Sequence, residues 1–236
     1  MVKVLLDELR QLAVNTNFEV ILTINVNENI DEKNLNYSFP LKVIRNKIPK
    51  GFGANHNQAF KVAIGDYFCV LNPDVRLITN PFQMLQKELI HLSGGVIAPI
   101  VLSPDFKVED SIRYFPTLNS LVKKFFKFND GRYFFSENSP TLAVDWVAGM
   151  FMLFKSKDFL SLGGFDEEYF LYYEDVDICL RLWKSGKKVL ACPQVRIIHD
   201  AQRQSRKNLK YMKWHLTSMI RYFLKHFGRI PKINQN

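Results

Sequence analysis

The segment Tyr169 to Arg181 reads Y-F-L-Y-Y-E-D-V-D-I-C-L-R, and the rest of the chain can be organised around it. Helical spacing from Glu174 onward points Val176 and Leu180 inward with Ile178 nearby, and sets Asp177 and Arg181 one turn apart on a polar face. Glu174 and Asp175 fall in the first turn, where the positive end of the helix dipole favours carboxylates. A plain capping cluster would have the same composition, but two features set this one apart. Four aromatics in the five preceding residues form an apolar wall beside the charge, behind the glycine-rich turn G-G-F-D-E at Gly163 to Glu167. Much earlier, Asn72-Pro73-Asp74 closes the apolar run Tyr67 to Leu71, and in α/β proteins ligands sit at such strand ends.

G-G-F-D-E followed by F-L-Y-Y-E-D-V-D-I-C-L-R resembles the acceptor-site motif of inverting family-2 glycosyltransferases with the GT-A fold. With G-F-G-A-N-H-N (51–57), L-N-P-D-V (71–75) and I-I-H-D (197–200), the set is most similar to the bacterial rhamnosyltransferase branch. The match runs from about Glu19 to Phe227, with its motifs in the family's order. The resemblance implies an α/β, Rossmann-like domain with a mixed, mostly parallel central sheet flanked by helices. Residues 1–200 would form the transferase domain, the nucleotide-sugar half reaching about 103 and the acceptor half covering about 104–200. Residues 201–236 would add a C-terminal amphipathic helix. The implied reaction moves rhamnose from dTDP-rhamnose, with inversion, to a sugar hydroxyl of a cell-envelope glycan or a polyprenyl-diphosphate-linked acceptor.

Carried over residue by residue, the resemblance makes Asp175 the catalytic base. It sets Glu174, Trp146, Gly149 and Arg113 against the acceptor, and Gly53, Asn57, Asn72, Asp74 and Arg203 against the nucleoside diphosphate sugar. Asp74 and His199 would hold Mg2+ or Mn2+. The residue chemistry agrees: a sugar hydroxyl needs a carboxylate to take its proton, and Asp74 is a hard oxygen ligand for a cation bridging a diphosphate. Each piece has a plainer reading: an Asn-Pro-Asp turn, a strand-to-helix glycine turn, Trp146 as core filler, Arg113 on the surface, and His199 as a structural histidine.

The chain departs from the family pattern in three places. Asn72 replaces the first Asp of the usual Asp-X-Asp. Thr23-Ile24-Asn25 stands where an Asp holds the nucleobase, and the family's first strand has no counterpart before the opening helix. Two alternatives therefore stay open: a transferase of another hexose such as galactofuranose or glucose, and a non-catalytic or N-terminally truncated sugar-nucleotide or glycan-binding protein.

In its 236 residues, 47% hydrophobic and 14% aromatic, the chain can bury one sizeable core. Lys and Arg exceed Asp and Glu by 32 to 23, and the net charge of +9 implies an anionic partner such as a phosphorylated substrate or an acidic membrane surface. No zinc-finger spacing or nucleic-acid-reading motif accompanies that charge, so nucleic acid ranks low. Cys69, Cys179 and Cys192 lie in apolar stretches without C-x-x-C spacing and read as reduced core residues. No apolar run reaches bilayer length and no signal peptide is evident, so the sequence reads as cytoplasmic, at most peripheral at the inner face of the membrane.

Along the chain, helical periodicity covers 2–14, and strands are expected at 18–24, 41–45, 67–71 (central), 95–102, 141–147 and 150–154. A helix is expected at 58–64, after a glycine loop, and two short strands at 188–191 and 194–198, split by Pro193. Residues 118–135 interleave Lys123, Lys124, Lys127 and Arg132 with large aromatics, and 207–227 form a basic amphipathic helix. Both suit a membrane interface, and both equally suit docking on the domain's own core.

Overall fold

The computed structural model describes residues 1–26, 37–120, 131–136, 138–200, 209–231 and 233. Helix α1 (Val2–Leu12) leads to strands β1 (Val20–Ile24) and β2 (Leu41–Arg45), helix α2 (Phe52–Phe60), strands β3 (Tyr67–Leu71) and β4 (Val75–Leu77), helix α3 (Phe82–His91) and strand β5 (Gly94–Leu102). Short strands β6 (Ile112–Arg113), β7 (Leu142–Ala143) and β8 (Trp146–Val147) follow. Then come strand β9 (Phe151–Lys155), helices α4 (Ser156–Ser161) and α5 (Glu174–Lys184), strand β10 (Lys188–His199) and helix α6 (Leu209–His226).

The main sheet has the order β3-β9-β5-β10-β4, with β7 also paired to β10. Its centre is β5, buried along its whole length because G-G-V-I-A-P-I-V-L offers apolar side chains to both faces. Only β5 and β10 are parallel neighbours in this sheet; β9 runs antiparallel to both β3 and β5, and β4 and β7 run antiparallel to β10. The sheet is mixed, as expected from the sequence, but the expectation that it is mostly parallel is corrected, since antiparallel pairings predominate. The reason is β9, which arrives from the second half of the chain and inserts reversed between two like-directed strands. The same insertion leaves Tyr67–Leu71 at the edge of the sheet, with alternating burial, where a central strand was expected. β1 and β2 form a separate parallel pair, and α1 packs on β4 with Leu5, Leu6 and Leu9 in a small cluster around Phe39.

Two boundaries also move. β10 continues through Pro193, because a register shift between Cys192 and Arg196 bulges the proline out of the ladder. α2 begins at Phe52 with Gly51 as its extended N-cap, so the rest of G-F-G-A-N-H-N lies inside a helix and is not a loop ahead of one. Its glycines are explained by close approach. A Cβ on Gly51 would stand 2.6 Å from the Phe170 carbonyl oxygen, and one on Gly53 would stand 2.7 Å from the Phe165 Cβ. The first turn of α2 is pressed against the segment 163–170 that leads to the acidic helix.

Candidate active site

α5 is entered through two tyrosines in the left-handed region, Tyr172 at φ 70° and Tyr173 at φ 67°. Bulky residues adopt that backbone only where their surroundings hold them there. The surroundings here come from α6: His215 lies 5.4 Å from the Tyr172 ring and 5.5 Å from the Tyr173 ring, and Tyr222 lies 5.4 Å from Tyr173. The turn delivers Glu174 and Asp175 to the wall of a cavity of about 770 Å³. Arg113, Trp146, Asp145, His215 and Met219 line the same cavity.

Asp175 is half-buried at the first turn of α5. Its Oδ2 accepts the Gly149 N–H at 3.1 Å and its Oδ1 accepts the Val176 N–H at 2.8 Å. Burial pushes its carboxyl up to about 6, against those two donors, which favour the charged form. Glu174 is buried, and its Oε2 has no hydrogen-bond partner among the described residues. Burial first, and then the neighbouring Asp175 charge, raise it well above the usual carboxylate range. Gly149 leaves room for this arrangement: a Cβ there would meet the Phe52 ring at 3.1 Å and the Asp175 Cβ at 3.7 Å.

Across the cavity, the Trp146 indole is fixed by its Nε1 donating to the Tyr114 carbonyl at 3.0 Å. Asp145 accepts the Tyr133 hydroxyl at 2.5 Å and the Phe115 N–H at 2.7 Å, while burial raises its carboxyl despite both donors. Arg113 lines the cavity with its guanidinium 3.0 Å from Asp110.

A second cluster lies where β3 and β10 end and β4 begins. His199 Nε2 stands 3.3 Å from Asp74 Oδ2, and its Nδ1 stands 3.0 Å from Glu109 Oε2. Burial opposes a charge on His199, but the hydrogen bonds to Asp74 and Glu109 outweigh it and raise the imidazole above its ordinary value. Asp74 Oδ1 is buried with no partner among the described residues. Asp74 and His199 do not line the cavity of Asp175, yet two short stretches of backbone join the clusters. The Asn72 N–H donates to the Met150 carbonyl at 3.0 Å, one residue from Gly149. The run from Glu109 to Arg113 touches His199 at one end and the cavity at the other.

Several expected site residues stand elsewhere. Asn57 is buried, its amide donating to the Phe165 carbonyl at 2.9 Å and to Glu167 at 3.0 Å while accepting the Phe165 N–H at 2.9 Å. It pins the 163–170 turn, and a Cβ on Gly164 would stand 2.3 Å from its Oδ1, so Asn57 and Gly53 both have a packing role against that turn. Asp177 and Arg181 pair one turn apart, as the spacing suggested, with Arg181 Nε donating to Asp177 Oδ2 at 2.7 Å, but that polar face is not open to water at Asp177. Asp177 is fully buried, because α6 covers it. Asn25, at the expected nucleobase position, accepts an Asn46 amide hydrogen at 2.9 Å and the Lys50 N–H at 2.8 Å, so an amide cluster occupies that strand end. Arg203 and the lysines at 123, 124 and 127 lie outside the described residues.

The model of glycosyl transferase family 2 matches residues 2–156, and the model described as the N-terminal domain of galactosyltransferase matches 132–204. The chain is 31% identical over 202 residues to rhamnosyltransferase WbbL of Escherichia coli K12, covering 78% of this chain and 76% of that protein. It belongs to glycosyl transferase family 2. A second relative, the N-acetylglucosaminyl-diphospho-decaprenol L-rhamnosyltransferase of Mycobacterium tuberculosis, is 29% identical over 145 residues. Those cover 58% of this chain but only 47% of the relative, so the chain spans about half of that protein. Among solved structures, the GalNAc-T7 enzyme with UDP, GalNAc and Mn2+ superposes with a TM-score of 0.63 at 15% identity, over 87% of this chain and 41% of that one. The mannosyltransferase PcManGT of Pyrobaculum calidifontis, with GDP-Man and Mn2+, superposes at 0.59 and 13% identity, over 94% of this chain and 67% of that one. The fold of this family-2 glycosyltransferase is therefore the mixed α/β GT-A fold.

The Asp74–His199 pair has the chemistry that a divalent cation in this glycosyltransferase would need. One carboxylate oxygen is buried with no partner among the described residues, and the imidazole Nε2 faces that carboxylate while its other nitrogen is held by Glu109. A carboxylate on the far nitrogen is how proteins orient a ligating histidine. Among the described residues no group of three or more such ligands gathers. Magnesium-like sites commonly take one or two protein ligands and fill the rest from substrate phosphates and water. Glu109 escaped the sequence reading because it is 90 residues from His199 and belongs to no recognisable motif.

Proposed function

We propose that the protein transfers rhamnose from a nucleoside diphosphate to a sugar hydroxyl of a cell-envelope acceptor, with inversion, and that Asp175 is the catalytic base. The observation that carries this reading is the placement of Asp175 on the cavity wall, with a carboxyl raised to about 6 and an N–H from Gly149 fixing its orientation. An acid of that strength is largely ionised at neutral pH yet remains a competent proton acceptor. The acceptor hydroxyl would lie against Asp175, lose its proton to Oδ1 or Oδ2, and attack the anomeric carbon as the diphosphate leaves.

Glu174, its Oε2 without a partner among the described residues and its carboxyl held towards the neutral form, is suited to donate a hydrogen bond to the acceptor without competing for its proton. Trp146 offers its indole face to a sugar ring, and Arg113 offers cationic hydrogen bonds at the same wall. Asp74 and His199 would hold Mg2+ or Mn2+, which supplies charge neutralisation for the departing diphosphate. The mycobacterial relative is named for a diphospho-decaprenol substrate, which supports a lipid-linked acceptor here.

The test is a panel of nucleoside diphosphate sugars with metal titration, run on the wild type and Asp175→Asn. The expected outcome is turnover with the rhamnose donor, a loss of about a hundred to ten thousand fold in the variant, and unchanged donor affinity. Undiminished activity of Asp175→Asn would remove the base assignment. The galactosyltransferase-type match over 132–204 favours one competing donor class. Turnover with a galactose-type donor in place of rhamnose would establish it.

A further inference from the structure

α6 packs the wrong way round for an ordinary amphipathic helix. Its docking face carries Ser218, Tyr222 and His226, all buried, with Met219 beside them. At about 3.6 residues per turn, Leu209, Met212, Leu216, Ile220, Leu224 and Phe227 fall on the opposite side. All six are exposed, from 49% at Ile220 to 79% at Leu224. Water-facing stripes of this size are costly unless something covers them. The docking face, in contrast, is locked by charge: His226 Nε2 donates to Asp177 at 2.8 Å, Lys225 bridges Asp177 and Asp166 at 2.7 Å each, and the Ser218 hydroxyl donates to the Leu171 carbonyl at 2.9 Å. The helix therefore has no means of rolling its apolar stripe inward.

We propose that this stripe is a docking surface for an anionic lipid bilayer, on which α6 lies in the interfacial plane. Charge selects this occupant over a second copy or another protein. Residues 209–229 hold five Lys and Arg and not one Asp or Glu; Arg221 and Lys225 turn to Asp166 and Asp177, while Lys210, Lys213 and Arg229 are exposed. Lys213, exposed on α6, flanks the stripe, and Lys210 lies next to it over the Trp214 ring. Basic residues flanking an exposed apolar face give a helix that sinks shallowly among anionic headgroups. Two like-charged copies would bring their cations together. No helix among the described residues is long and apolar enough to cross a membrane, so attachment through this region would be peripheral.

The placement has a purpose if the acceptor is lipid-linked, a part of the argument that rests on the proposed function. His215 and Met219 of the same helix line the cavity of Asp175. One helix thus walls the reaction site on one side and faces the lipid on the other. A headgroup standing at the bilayer surface would meet the cavity with little reach.

The experiment is flotation of the full chain with vesicles of phosphatidylglycerol and phosphatidylcholine, against phosphatidylcholine alone, without donor or acceptor. The wild type is expected to float with the anionic vesicles and to be released as salt rises. The triple variant Leu216→Glu, Ile220→Glu, Leu224→Glu should lose binding by on the order of a hundredfold or more, the scale of removing three buried aliphatic side chains. Lys210→Glu with Lys213→Glu should weaken it for anionic vesicles while leaving the melting temperature unchanged. Wild type that stays unbound, or a triple variant that binds equally well, would overturn the proposal. So would light scattering that shows a dimer dissolved by the triple variant. Because flotation needs no turnover, a failure here leaves the transferase reading standing. Floating protein that transfers no sugar to a soluble acceptor would instead count against that reading alone.

Discussion

Asp175 and Asp177 stand two residues apart on one helix and have been pushed in opposite directions. Asp175 faces a cavity, accepts only backbone N–H groups, and has its carboxyl raised by burial to about 6. Asp177 faces α6. Burial would raise it too, but the hydrogen bond from His226, the charge of Arg181 and the contact with Lys225 together hold it well below the usual carboxylate range. The difference lies in which partners are cationic. Backbone donors orient a carboxylate while leaving it able to take a proton, whereas cations lock it as an anion and make it a joint. Helical periodicity separates the two by about 200° and so predicts different surroundings, but it cannot say which side meets cations.

The widest separation should come from matched Asn variants. Asp175→Asn is expected to lose about a hundred to ten thousand fold in turnover at unchanged or slightly improved thermal stability. Asp177→Asn should instead cost about 3–5 kcal/mol in a denaturant titration, since it strands Arg181, Lys225 and His226 around a neutral amide. If the two variants behaved alike in both assays, the division of roles would collapse. Glu109→Gln sharpens the picture at the other cluster. It should weaken Mn2+ binding about 10–100-fold, read by electron paramagnetic resonance on the protein without donor, because His199 loses its orienting carboxylate. Gly53→Ala should cost about 1–3 kcal/mol by overpacking against Phe165 without altering Mn2+ binding.

The smallest effect expected is in the pH profile. Transfer should fall about tenfold per unit as pH drops below about 6, where Asp175 takes up its proton. Stability has the opposite signs at the two residues. The depressed Asp177 contributes stability above the ordinary carboxylate value of about 4 and loses it as pH falls through its own, lower one. The raised Asp175 favours the folded state while protonated, a contribution that fades as pH rises through about 6. An acid-unfolding curve of Asp177→Asn should therefore be flatter than that of the wild type.

Much of this was legible in the sequence, for identifiable reasons. Apolar content located β5, and the acidic turn located Asp175, because both are local properties of a few adjacent residues. Periodicity found α6 but not its orientation. A hydrophobic stripe normally marks the buried side, and here the buried Asp177 and the half-buried Asp166 recruited the polar side instead. The glycines of α2 read as a loop ahead of a helix because the backbone they pack against, that of 163–170, lies more than a hundred residues away. The reversed strand β9 was hidden for the same reason: direction within a sheet is decided by pairing partners, and no feature of F-M-L-F-K encodes it.

The left-handed tyrosines ahead of α5 set a limit on redesign. Backbone of that kind stores on the order of 1–3 kcal/mol at each residue and relaxes as soon as the rings lose their supports. Those supports are side chains of the terminal helix, so the acidic turn cannot be transplanted, or the protein trimmed from its carboxyl end, without the carboxylates drifting from their aim. In this enzyme the tail is the clamp that keeps the reactive corner cocked.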